Sequence, residues 1–226
     1  MNSKWKFDLT IAPIFNDHIS RSVPYYIDMH DIISDYIKLH PKEKIIITDI
    51  GGATGYCIRE INAKIGFYHP TYYYIDSSED MLIQAKRECC GIDNIHYIFG
   101  DLIDIELPHS DIVLAVFTLQ FIPIPLRKHC LEKIYSALPP GGLFFLSEKV
   151  CSPYKDIESN FIKLHYDIKT KNGFTDEEII RKKESLIDVM WTLPPDKYIS
   201  ELSSIGFSKI EILFKCLNFL CFLCVK

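Results

Sequence analysis

The sequence lacks several features that would assign it at a glance. No run approaches the ~18 consecutive apolar residues of a membrane span, and Met1-Asn2-Ser3-Lys4-Trp5-Lys6 opens no apolar signal region. There is no basic excess: 25 Lys and Arg stand against 30 Asp and Glu, a net charge of −5. Proteins held on nucleic acid by phosphate contacts carry the opposite balance, so no direct nucleic-acid or membrane partner is expected. No short repeat recurs, which excludes a fibre. None of the eight cysteines forms two CxxC units, or CxxC with a histidine pair at zinc spacing, and no metal site is expected. The lone Cys221-Phe-Leu-Cys224 lies in an apolar run and reads as two buried thiols. Free thiols without a signal region imply a reducing, cytoplasmic setting. Lys169, Lys171, Arg181, Lys182 and Lys183 make a local basic patch, which reads as exposed helix faces.

What is present is an ordinary globular balance, 48% hydrophobic and 24% charged over 226 residues. Continuous apolar runs at 45–50, 72–75, 95–99, 112–117 and 143–146 read as strands buried on both faces. Helical spacing separates them, at 23–39, 56–65, 78–89 and 127–138. This alternation implies a doubly wound parallel sheet. Two polar helices follow, 155–171 and 175–190, then a helix over 195–205 and closing strands at 210–215 and 219–225. Thr175 and Glu178 have capping-box spacing, and Ser78 is placed to cap the helix that follows it. One domain is expected over 1–226, with an N-terminal flap and helix at 1–40 and a helical insertion at 152–192.

Chemistry concentrates at strand ends. Asp49-x-Gly51-x-Ala53-x-Gly55 joins a strand to a helix, where small residues admit close approach of a ligand to the backbone. Asp76 ends the second strand and can accept bonds from ribose hydroxyls; Asp101 ends the third and can accept one from an adenine amino group. In this order the residues resemble the class I S-adenosylmethionine-dependent methyltransferases. That resemblance implies a Rossmann-like seven-stranded sheet with helices on both faces, a helical insertion after the fifth strand, an antiparallel last strand, and S-adenosyl-L-methionine as cofactor.

A narrower resemblance follows from Arg21-Ser22-Val23-Pro24-Tyr25-Tyr26, Phe117-Thr118-Leu119-Gln120-Phe121, Leu146-Ser147-Glu148-Lys149, His165-Tyr166-Asp167, Asn172-Gly173-Phe174 and Asn218-Phe219. These are similar to the carboxy-S-adenosyl-L-methionine synthases, which turn S-adenosylmethionine and prephenate into carboxy-S-adenosylmethionine and phenylpyruvate for tRNA wobble-uridine modification. The resemblance implies a homodimer. It implies cofactor contacts at Tyr26, Gly51, Gly52, Ala53, Asp76, Ser77, Asp101 and Leu102. With the loop residues Asp49 and Gly55, and with Met81, Val116 and Phe117, these make up the expected cofactor site.

Two positions depart from the family pattern. Val116 stands where the family has asparagine. Alignment on Gly206-Phe207 puts Glu201 where the family has an arginine that grips the extra carboxylate. Like charge beside a carboxylate at about 4 Å costs roughly 4 kcal/mol at an effective dielectric near 20. The sequence alone therefore favours a methyltransferase acting on a small-molecule acceptor in biosynthesis. The synthase and a non-catalytic cofactor-binding module are the alternatives. A general base would come from His165, Glu201 or Tyr26, with Tyr166 and His18 behind them. Phe117, Phe121, Trp191 and Tyr25 are candidate walls of an acceptor pocket.

Overall fold

The computed structural model describes residues 4–226. The strands are β1 (Ile46–Ile50), β2 (Thr71–Asp76), β3 (Ile95–Phe99), β4 (Ile112–Val116), β5 (Leu143–Lys149), β6 (Lys209–Cys216) and β7 (Phe219–Val225). They form one seven-stranded sheet in the order β3-β2-β1-β4-β5-β7-β6. All pairs from β3 to β5 are parallel, and β7 lies antiparallel between β5 and β6. The order reverses between β1 and β4, which opens a crevice at the carboxyl ends of those strands.

The helices are α1 (Phe15–Ser22), α2 (Tyr26–Lys38), α3 (Tyr56–Ile65), α4 (Glu79–Glu88), α5 (Ile124–Ala137), α6 (Lys155–Lys171), α7 (Asp176–Ser185) and α8 (Pro195–Ile205). Each sheet face carries its own core. On one face Ile33, Ile37, Ile58 and Ile61 of α2 and α3 pack on Ile47, Tyr72, Leu114 and Phe145. On the other, Leu131, Ile134, Tyr198 and Leu202 of α5 and α8 pack on Val113, Phe144, Leu146 and Phe222. Cover on both faces explains why β4 and β7 read as unbroken apolar runs rather than alternating ones.

Local chemistry sets the boundaries. Ser78 caps α4, its side chain accepting from the Met81 N–H, and the Thr175/Glu178 capping box starts α7. The helix expected from residue 23 begins only at Tyr26. Val23 is extended, as a residue before proline tends to be, and Tyr25 sits at φ 55°. The expected flap thus already contains α1. The helix expected to reach residue 190 ends at Ser185, shortly before Asp188 takes a left-handed φ of 57°. Among the described residues no helix is long and apolar enough to cross a membrane, and all eight cysteines are free thiols.

A buried guanidinium fixes the floor of the crevice. Arg127 donates to the carbonyls of Ile122 (2.9 Å), Gln120 (3.3 Å) and Trp191 (2.7 Å) and to the Tyr198 hydroxyl (2.9 Å). That hydroxyl donates to Glu148 at 2.8 Å, and Glu148 accepts the Gln120 N–H at 3.1 Å. One side chain thereby ties the turn after β4 to α8 and to the chain before it. Arg127→Ala is expected to cost roughly 3–5 kcal/mol in urea unfolding, because it strands buried acceptors and leaves the Glu148 carboxylate without its cationic neighbour.

Candidate functional site

The crevice widens into a cavity of about 250 Å³. Its first wall is the glycine loop. A Cβ at Gly51 would come within 2.5 Å of the Thr118 side chain, and one at Gly52 within 2.7 Å of the Tyr74 ring. Ala53 adopts a φ of 48°, and its N–H donates to Asp76 at 3.0 Å. The Tyr74 hydroxyl donates to the Ala53 carbonyl. Asp76 also accepts the Ser78 N–H at 2.8 Å, so one carboxylate ties the loop to the start of α4.

Asp49 lies buried beneath the loop, and its Oδ2 has no hydrogen-bond partner among the described residues. Burial, and secondarily the charge of Asp76, pushes it up to about 7. Burial also raises Asp76 above the ordinary carboxylate range. A buried acid with an unpartnered oxygen, and a second acid held by backbone N–H groups beside a loop with no room for side chains, fit a ligand that brings hydroxyl donors and positive charge. S-adenosyl-L-methionine brings both, in its ribose and its sulfonium.

The other expected cofactor residues divide. Tyr26, Ser77, Asp101, Leu102, Val116 and Phe117 border the cavity with the loop. Gly55 and Met81 do not. Gly55 closes the loop turn, its N–H donating to Gly52 at 2.7 Å, and a Cβ on it would meet the Cys89 sulfur at 2.5 Å. Met81 is fully buried with Ala12 and Phe15, and Ala53 packs against this group. Both residues support the loop from behind.

The expected bases fare unevenly. Glu201 does not face the cavity: it is half-buried on α8, where its charged neighbours are Arg127, Lys128 and Glu132 of α5. The expected repulsion between Glu201 and a ligand carboxylate therefore does not arise. Tyr26 borders the cavity, stacked 6.4 Å from Phe117, but burial raises its hydroxyl well above the ordinary tyrosine range. His165 is buried with Nε2 2.8 Å from the Ser22 carbonyl, so Nε2 carries the proton and donates. Burial first, then Lys149 and Lys169, holds it down to about 3. His18 is held to about 4 by burial and then by Lys182. Neither imidazole is a strong base at neutral pH. Of the expected aromatic walls, Phe117 and Phe121 border the cavity, whereas Tyr25, Trp191 and also Tyr166 do not.

Opposite the glycine loop is a group of lysines, two of which, Lys169 and Lys182, the sequence reading places on exposed helix faces. Lys149 at the end of β5, Lys169 on α6 and Lys182 on α7 all border the cavity, whereas Lys171, Arg181 and Lys183 are exposed. None of these three lysines has a described carboxylate within 4.0 Å, although Glu158 acts on Lys149 from farther off. Burial and then Lys149 holds Lys169 down to about 8. Burial and then Lys169 holds Lys182 down to about 5. Burial lowers Lys149 as well. The signal lay in helical phase: Lys169 follows the buried His165 by four residues, and Lys182 follows the buried Ile179 by three.

The N-terminal chain roofs this end. The Trp5 N–H donates to the Ser185 carbonyl at 2.9 Å, its ring stacks on His18 at 5.7 Å, and Lys182 Nζ lies over it. The Phe7 ring meets Phe121 edge-on at 5.1 Å.

A family profile described as a methyltransferase domain matches residues 47–142. The carboxy-S-adenosyl-L-methionine synthase of Wolinella succinogenes is 32% identical over all of this chain and 95% of its own length. That of Helicobacter hepaticus is 34% identical over 97% of this chain and 93% of its own. The chain belongs to the carboxy-S-adenosyl-L-methionine synthase family. Among solved structures, human N-acetylserotonin methyltransferase in complex with S-adenosylmethionine has a TM-score of 0.65 at 17% identity, covering 96% of this chain and 55% of that one. An O-methyltransferase family protein from Burkholderia thailandensis has a TM-score of 0.69 at 13% identity, covering 95% and 59%. These likenesses establish for this synthase-family chain the Rossmann-like methyltransferase fold.

Asp49 supplies a pH-dependent test. Its carboxyl titrates near 7 in the folded chain, against an ordinary 3.8. Its contribution to stability is thus present at acid pH and lost as pH rises through 7. The difference in Tm between Asp49→Asn and the parent, measured without ligand, is expected to move in favour of the variant from pH 5 to pH 8. In calorimetry at pH 8, where Asp49 is ionised, the same variant is expected to bind S-adenosylmethionine about tenfold more weakly, having lost a buried negative charge.

Proposed function

We propose that this chain is a carboxy-S-adenosyl-L-methionine synthase that uses S-adenosylmethionine and prephenate. The observation that carries this reading is the row of three buried lysines, none with a described carboxylate within ion-pair distance, that border the cavity across from the glycine loop. A simple methyl acceptor gives no reason to gather buried lysines without ion-pair partners, whereas an organic dianion does. The case for small-molecule methylation rested on Glu201 beside the ligand, and Glu201 faces α5 instead.

When bound, S-adenosylmethionine supplies a methyl carbon made acidic and electrophilic by its sulfonium. The overall stoichiometry balances without another reactant. Prephenate exceeds phenylpyruvate by one CO₂ and one water. The CO₂ replaces a methyl hydrogen, and that hydrogen leaves with the ring hydroxyl as water. The protein's own work is then to bind, orient and exclude solvent. Asp76 and Asp49 take the hydroxyl and cationic end of the cofactor. The lysine row takes the carboxylates of the second substrate, and the Trp5, Phe7 and Phe121 rings close the cavity to water. The substrate's own hydroxyl takes up the proton, so the weak basicity of Tyr26, His18 and His165 is no obstacle. Fixing two reactants in line can lower the barrier by roughly 7–11 kcal/mol.

Incubation of the purified chain with S-adenosylmethionine and prephenate is expected to yield phenylpyruvate and a cofactor heavier by one CO₂ in mass spectrometry. Methylated acceptor from cell extract, with no phenylpyruvate, would overturn the reading. Lys169→Met, which removes the middle ammonium, is expected to lower kcat/KM for prephenate about 10- to 100-fold.

A further inference from the structure

The lysine row has two unlike ends. Lys149 is next to the crevice: it closes β5, whose Ser147 pairs with Val116 at the end of β4, and its charge is the first to act on His165. Lys182 is at the roof on α7, and its charge is the first to act on His18. Lys169 lies between them, since it is lowered by Lys149 and in turn lowers Lys182. The roof end also holds His18, whose buried Nε2 has no hydrogen-bond partner among the described residues, and the flat face of Trp5. Nothing at that end belongs to the glycine loop or to the strand ends where the cofactor's methyl group would lie.

We propose that Lys182, backed by His18 and the Trp5 ring, is the anchor for the carboxylate that the substrate keeps, and so selects dicarboxylates over monocarboxylates. The proposal rests on the synthase reading above. Lys149 and Lys169, nearer the crevice, face the carboxylate that is transferred. Lys182 is thus a specificity-determining residue that takes no part in the bond changes. The geometry also carries a linkage. Lys182 faces Lys169 from α6 and His18 from α1, with the exposed Lys4–Asp188 pair outside them. With no acid among these inner neighbours, burial and Lys169 hold it down to about 5. An arriving carboxylate reverses that balance, so the anchor takes up a proton as the ligand binds.

Phenylpyruvate tests this directly, because it bears only the retained carboxylate. By calorimetry in two buffers of different ionisation enthalpy, the parent chain is expected to bind it with net proton uptake. Lys182→Met is expected to weaken that binding about tenfold and abolish the uptake, and Lys182→Arg to recover affinity. Lys149→Met should weaken phenylpyruvate several-fold less than Lys182→Met does. The proposal is overturned if the parent does not bind phenylpyruvate, if Lys182→Met binds it as tightly as the parent, or if Lys149→Met loses as much. Circular dichroism and thermal melting confirm that each variant is folded. If the parent forms no phenylpyruvate from prephenate, the synthase reading has failed. If it does, and Lys182→Met keeps the parent KM for prephenate, only the anchor has failed.

Discussion

Buried acids at one end of a single cavity and buried lysines at the other organise this molecule. Asp49 and Asp76 crowd the glycine-loop end, and Lys149, Lys169 and Lys182 crowd the other. Each group is displaced from its ordinary pKa mainly by burial, and each would be relieved by a ligand of opposite sign. Folded proteins rarely bury charge without a partner, because desolvation is costly. Under the proposed function a cation takes one end and an anion the other, and each ligand draws the groups at its end into their charged form.

The sheet was legible in the sequence because its signals are periodic and local. Apolar runs marked the strands, and proline and glycine marked the turns. Ser78 and Thr175 announced their helices through capping chemistry that needs only a few residues of context. The glycine loop with Asp76 and Asp101 was legible for a similar reason: strand ends in an open α/β sheet converge on one crevice whatever covers the faces.

Helix rotation was not legible to the same depth. Alignment on Gly206 placed Glu201 correctly along α8, but along-chain position does not fix the direction of a side chain. Tyr198 and Leu202 are the residues that α8 buries in the sheet, and the next position round leaves Glu201 against α5. The converse error hid the lysines. Charged residues on polar helices are usually solvated, and only contact between the helical insertion and the roof turns Lys169 and Lys182 inward. Met81 and Gly55 show a subtler limit, since they matter to the loop through packing behind it.

The interior place of β7 has a consequence for how the chain assembles. Residues 219–225 sit between β5 and β6, pairing with strand positions about 75 residues upstream on one side and a hairpin neighbour on the other. Until that segment arrives, β5 presents an open, apolar edge. Such non-local pairing slows folding and leaves unpaired backbone exposed during the wait. The folding polypeptide would therefore depend on residues 219–225 to become safe from self-association.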